Sequence, residues 1–162
     1  MISIVSESQG IKSQIELLLN SSFGEKRKTL PSQKFRKGSK PIQNLSFIAM
    51  KEELVVGVIR FTKISIGNEF TCLLLGPIAV LPEYQGIKIG SSLMKHGLKA
   101  AKDAGYELVV AIGDPEFLGD FGFISIEGKE LIFPIFVDKN RFLIKELIEG
   151  SSKLAKGKIK LA

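Results

Sequence analysis

The sequence predicts an α/β chain of the α+β type, with one mixed, mostly antiparallel sheet flanked by helices. Three observations predict it. Between 45 and 80 lie three apolar, largely β-branched runs, separated by turn signals. Over 11–23 and 89–104 apolar residues instead recur at helical spacing. A glycine-bearing turn joins the third run to the second helix, which places strands and helices in one layered unit.

The elements follow in order. Residues 1–5 alternate isoleucine and valine with serine, a short strand signal. Ile11, Ile15, Leu18 and Leu19 mark the first helix, with Phe23 extending the stripe and Gly24 closing it. Residues 24–44 are polar and basic, hold Pro31 and Pro41, and read as a mobile loop with room for a short helix. Strands are expected at 45–50, 54–66 and 70–80, with turns at Lys51-Glu52-Glu53 and Gly67-Asn68. Gly76-Pro77 interrupts the last of these. Proline cannot donate to a ladder, so a bulge or an open edge is expected there. The helix over 89–104 uses Leu93, Met94, Leu98, Ala101 and Ala104, and Gly105 stands at its C-terminal cap. Residues 106–112 read as a buried strand and 115–121 as a short helix ended by Gly122. Strand material is expected over 123–136, broken by Gly128 and Pro134, and a helix over 139–148. The lysine-rich end has the pattern of one more strand.

The 162 residues suggest a single domain, 1–162, and 44% apolar content suffices for a core without staples. Cys72 is the only cysteine, so neither an intrachain disulfide nor a cysteine metal cluster can form, and no metal is expected. There is no apolar stretch of membrane-spanning length and no secretory pattern at the start, and the expected address is cytoplasmic. The net charge of +6 gathers between Lys26 and Lys40 and at Lys153, Lys156, Lys158 and Lys160. Neither cluster has interleaved aromatics beyond Phe35. Solvated surface lysines are therefore the expectation, rather than a nucleic-acid partner.

The stretch 83–97, EYQGIKIGSSLMKHG, carries the chemistry. The first amides of a helix lack internal partners and hold partial positive charge. Glycines let an anion reach that backbone. Residues 85–91 therefore form a candidate cradle for a phosphate or pyrophosphate, with Lys88 as added charge. No Gly-Lys-Ser/Thr ending is present, so this is not a P-loop, and there is no Gly-x-Gly-x-x-Gly.

At these residues the chain resembles the GNAT-type N-acetyltransferases, whose signature Gln/Arg-x-x-Gly-x-Gly/Ala is framed here by Gln85, Gly86, Ile87, Lys88, Ile89 and Gly90. The lead-in from Leu75 to Tyr84 is similar to the family's, as are Gly113-Asp114-Pro115 and Phe121-Gly122-Phe123. The resemblance covers 45–125 well, 1–44 loosely and 126–162 least. It implies a sheet splayed between its fourth and fifth strands, and acetyl-CoA as cosubstrate. It implies CoA-binding residues at Ile78, Ala79 and Val80 for the pantetheine arm, and at Gln85, Gly86, Ile87, Lys88, Ile89, Gly90 and Ser91 for the pyrophosphate. The acceptor is then an amine of a small molecule or a protein, and a homodimer through sheet edges is compatible.

Two residues depart from the family pattern. Lys88 stands where the family usually has glycine; it either points outward, grips a phosphate, or damages the cradle. Leu118, four residues before Gly122, stands where many members place a tyrosine proposed to protonate the leaving sulfur. The base is open among Glu69, Asp114 and Glu116. Asp114 is slightly the best placed, although the role first expected of it is a helix N-cap ahead of Pro115. His96 reads as a surface residue, Cys72 as core, and Gly97 as a close-packing point. An N-acetyltransferase is the leading function. A catalytically weak or inactive acyl-CoA-binding module is the alternative, and a basic nucleic-acid-binding protein the third. The basic loop 24–44 hints at an acidic or phosphate-bearing acceptor.

Overall fold

A computed structural model describes residues 1–24, 35–37, 39–67 and 70–162. Glu69, Asn68 and the basic residues from Lys26 to Lys28 lie outside the described residues, and so do the expectations that fall on them.

The chain runs β1 (Ile2–Ser6), α1 (Lys12–Phe23), β2 (Phe47–Lys51), β3 (Leu54–Ile66), β4 (Phe70–Val80), α2 (Ile89–Asp103), β5 (Leu108–Ile112), α3 (Pro115–Gly119), β6 (Ile124–Ser125), β7 (Leu131–Ile132), β8 (Phe142–Glu146) and β9 (Gly157–Leu161). The sheet order is β1-β2-β3-β4-β5-β8-β6, with β9 on the far end of β3 and β7 on β9. Within that main path, β4 and β5 pair in parallel and the other neighbours are antiparallel. The mixed, mostly antiparallel sheet is therefore present.

Helices cover both faces. Along β3, Val58 packs with Ile15, Leu18 and Leu19 of α1, while its neighbour Ile59 packs with Leu93, Met94 and Leu98 of α2. Adjacent strand residues point to opposite faces, which is why one strand serves both layers. Each such fully buried aliphatic side chain contributes roughly 1.5–3 kcal/mol. Two glycines bring α2 close to the sheet. A Cβ at Gly57 would lie 2.9 Å from Leu93, and one at Gly97 would lie 2.9 Å from the Phe61 ring. The close-packing role expected of Gly97 is thus what the structure shows. The helix ends in a Schellman turn: Gly105, at φ +94°, donates to Lys102 O, and Tyr106 donates to Ala101 O. Ala104 is the exposed cap rather than part of the buried stripe.

One element differs in kind from the sequence expectation. Residues 139–148 do not form a helix. A 3-10 turn at Lys139–Arg141 leads into strand β8, which lies antiparallel along the whole of β5. Phe142, Leu143 and Ile144 form a consecutive buried run, and so short an apolar run fits a doubly covered strand as well as a helix. The unpaired edge of β5 decides the outcome, because its backbone groups need a partner. The strand material expected over 123–136 is reduced to the two-residue strands β6 and β7. The lysine-rich end does form a strand, β9.

The sheet opens at one place. Opposite the single residue Arg60 of β3, strand β4 has two, Gly76 and Pro77, since Phe61 pairs with Leu75 and Ile59 with Ile78. This is a bulge at the Gly-Pro step. Strand β4 pairs with β5 at Leu73–Val109 and Leu74–Val110 alone. Beyond these pairs β4 stays with β3 up to Val80, while β5 stays with β8 up to Ile112. The two strands diverge into a fork; the loop with Gly86 and Gly90 follows β4 at its mouth, and Gly113-Asp114 follows β5.

Candidate active site

The near lip of the fork is the second half of β4. Leu81 N–H donates to Val56 O at 2.9 Å, which fixes the alternation of the antiparallel pair. Val80 and Ile78 then turn their N–H and C=O groups away from β3 and into the fork. Consistent with this, Val80 O accepts from Gln85 Nε2 at 3.0 Å and from Ser22 Oγ at 3.2 Å. Gln85 thereby ties the following loop back to the strand end, and Ser22 ties α1 to the same carbonyl.

The loop then rises into α2. Its first intrahelical bond runs from Ser92 N–H to Lys88 O, so the amides of 89–91 precede the helix ladder and lack an intrahelical partner. Gly86 has φ +87° and Lys88 φ +67°, both in the left-handed region. This explains why glycine suits position 88 and what lysine does there. The Lys88 side chain is exposed and, among the described residues, makes no cap hydrogen bond that would offset the strain. A left-handed conformation costs a non-glycine residue about 1–2 kcal/mol, less the extra freedom glycine loses on folding. Replacing Lys88→Gly is expected to raise stability by about 0.5–1 kcal/mol in chemical denaturation.

The far lip belongs to β5 and α3. Asp114 is the N-cap of α3, with Oδ1 accepting from Glu116 N–H at 3.0 Å. The capping role foreseen for Asp114 is therefore real, and its second carboxylate oxygen remains available. Phe117 of α3 is partly buried and stacks edge-on against Phe121, with ring centroids 5.2 Å apart. Its Cζ lies 3.9 Å from where a Gly90 Cβ would be, so α2 and α3 approach across the mouth at this ring. Leu118 is buried and packs toward Gly113, leaving no hydroxyl at that position.

Two cavities, each about 620 Å³, open on the two sides of the fork. The first is lined by Ile78, Ala79, Val80, Gln85, Gly86, Lys88, Ile89, Gly90, Ser91 and Asp114. Of the residues expected to bind the coenzyme, only Ile87 is left off this lining, and it is 60% exposed. Sequence reasoning missed Ser22, Phe23, Tyr84 and Phe117, which also line it. Phe23 is 41% exposed and faces the fork instead of completing the buried stripe of α1. The second cavity lies beyond the bulge, among Arg36, Gly76, Pro77, Ala111, Leu118, Phe136, Asp138 and Arg141. The two cavities share Phe23, Ile78, Asp114 and Phe117. A ligand on each side would meet the other at those four residues.

Other candidates fall away from this place. Cys72 is fully buried mid-sheet and its thiol is pushed up to about 12 by burial, which makes it a packing residue. His96 is exposed and rests edge-on against Phe47. Among the described residues no three His, Cys, Asp or Glu side chains converge as metal ligands, and no helix is long and apolar enough to cross a membrane.

Comparison with known proteins bears on this geometry. Residues 13–117 match the profile of the acetyltransferase (GNAT) family. Two Escherichia coli proteins, each an uncharacterized N-acetyltransferase, are similar in sequence: YjhQ is 34% identical over 87 residues, 52% of this chain and 48% of its own, and YhbS is 31% identical over 81 residues, 49% and 48%. The matched part spans about half the length of these relatives. In structure, the GNAT-family N-acetyltransferase YhbS of E. coli superposes with a TM-score of 0.86 at 22% identity, covering 99% of this chain and 89% of that one. A GNAT-family acetyltransferase of Brucella melitensis gives 0.74 at 21% identity, covering 100% and 96%. At such identities these two likenesses speak for the fold. The family profile reaches across more than half of the chain, from α1 through the cradle to Phe117. Fold, fork and motif thus agree with the sequence match, and the chain belongs to the GNAT acetyltransferase family.

Proposed function

We propose that the chain transfers an acetyl group from acetyl-CoA to an amine. One observation carries the reading: a single cavity joins the fork-facing backbone of Ile78 and Val80 to the unpaired amides that open α2. The first offers an edge where an amide-bearing arm pairs as an added strand does. The second offers N–H groups to a pyrophosphate. The spacing between them is set by Gln85, which anchors the loop to Val80 O. The solved YhbS structure holds CoA and the Brucella one acetyl-CoA, which supports the same assignment here.

Acetyl-CoA supplies an acyl carbon activated as a thioester. The chain's own residues then have three tasks. Val80 N–H, turned into the fork, polarises the carbonyl oxygen as negative charge develops on it. Phe23 and Phe117 narrow the junction and hold water away from it. Asp114, at the junction, takes the proton that the amine loses as its nitrogen bonds to the acyl carbon. The carbon–sulfur bond breaks and the thiolate takes a proton from water, because Leu118 brings no acid. The Lys88 ammonium reinforces the phosphate cradle from its rim.

The direct experiment combines binding with turnover. Acetyl-CoA should raise the melting temperature, and a panel of amines should yield members that release free thiol in its presence. Stabilisation without thiol release from any amine would leave a coenzyme-binding module instead of an enzyme.

A further inference from the structure

The second cavity has a charge pattern of its own. Arg60 and Arg36 lie near the bulge, but their charges are met differently. Arg60 is held by Glu7 through two hydrogen bonds of 2.7 and 3.0 Å, and both side chains are nearly buried. Arg36 has no carboxylate within ion-pairing distance among the described residues. Its guanidinium instead lies against the bulge, with Nη1 2.9 Å from where a Gly76 Cβ would be. Burial, and then the Arg60 charge, push Arg36 down to about 10, so it stays protonated at neutral pH but is poorly solvated. A cation so placed gains from an anion that enters the cavity.

The rest of the lining narrows the anion. Arg36 and Arg141 carry positive charge and Asp114 and Asp138 negative charge, so the cavity's formal charges cancel. Gly113 N–H donates to Arg141 O at 2.9 Å, which sets Arg141 beside the Asp114 turn. A dianion would gain at Arg36 and lose at the two aspartates. A zwitterion gains at both ends on binding. Its ammonium loses one proton to water before the nitrogen attacks, which leaves Asp114 to take the second. Between the charges the walls are apolar, with Pro77, Phe117, Phe136 and Val137.

We propose that the acceptor is a small amino carboxylate with an apolar body, its carboxylate on Arg36 and its amine at Asp114. This rests on the assignment of the first cavity to the coenzyme, because only then does Asp114 face the acyl group. It adds an acceptor class: molecules in which an anion lies opposite the reacting amine across the cavity.

The test uses protein saturated with CoA and a series of acid and amide pairs: L-phenylalanine and its amide, and linear ω-amino acids of three to six carbons with their amides. Binding is read by calorimetry and turnover with acetyl-CoA by thiol release. At least one acid should bind about tenfold or more tightly than its amide, as a charge-assisted contact implies. That preference should vanish in Arg36→Gln and return in part in Arg36→Lys, while CoA binding is unchanged in both. Equal binding of acid and amide throughout, or no binding of any acid while CoA binds normally, would overturn the proposal. So would a preference that survives in Arg36→Gln. Failure to bind CoA would instead remove the coenzyme assignment itself, and is measured separately.

Discussion

Replacing Gly90→Glu is expected to reduce CoA affinity by at least about 100-fold while leaving the fold intact. A Cβ at Gly90 would meet only ordinary contacts, 3.7 Å from Val80 Cγ2 and 3.9 Å from Phe117 Cζ, so a side chain here need not strain the helix. What changes is the cradle. A carboxylate among the first amides of α2 competes for the N–H groups and repels a diphosphate, and both effects act where the helix end is most positive. A charge-assisted hydrogen bond is worth about 1.5–3 kcal/mol, and the diphosphate forfeits two or more of them, which sets the size of the effect. Calorimetry with CoA reads it. Gly90→Ala is the steric control and should retain most of the affinity. The melting temperature of the Glu variant should stay close to that of the parent.

Asp114→Asn should lower kcat by about 10²–10⁴-fold, with little change in CoA affinity. The choice of asparagine matters. Asp114 caps α3 through Glu116 N–H, and asparagine caps a helix about as well. The variant therefore keeps the turn and removes the proton acceptor. Asp114→Ala would remove both and cost roughly 1 kcal/mol of stability besides. Steady-state kinetics with the best acceptor of the amine panel reads the effect. A fully active Asn variant would reduce Asp114 to its capping role and move the base elsewhere.

Part of the site is legible in the sequence, and the reason is locality. The cradle is contiguous: Gln85 to Ser91 are neighbours in sequence, and helical spacing after Gly90 says where the amides must point. The bulge is legible for a similar reason, since Gly76-Pro77 inside an apolar run has few other uses. The far lip is not. Phe117, Ser22 and Phe23 reach the fork from other elements, and nothing in their local sequence announces it. Phe23 even follows the apolar stripe of α1, yet it faces the cavity because the helix ends there at Gly24. Residues 142–144 mislead because three consecutive apolar residues have no period to measure. Only the open edge of β5, about 30 residues earlier in the chain, makes them a strand. Arg36 sits in a polar, basic stretch where one arginine looks like the next. It acquires meaning by packing against Gly76, a contact between residues 40 apart in the chain.

Lys88 illustrates the opposite case. The frame of the motif marks it as out of place, and the backbone supplies the reason, a left-handed φ that glycine adopts without steric cost. Its side chain is exposed at the cavity's edge, so the departure bears on backbone strain and on charge.

Recognition of diphosphate and pantetheine by one continuous cavity is the central claim, and titration of CoA into the unmodified protein tests it most directly. Saturable heat with one site per chain, at a dissociation constant in the micromolar range, is the predicted result. Folded protein that gives no heat up to millimolar CoA would contradict it, and with it the assignment of both sides of the fork.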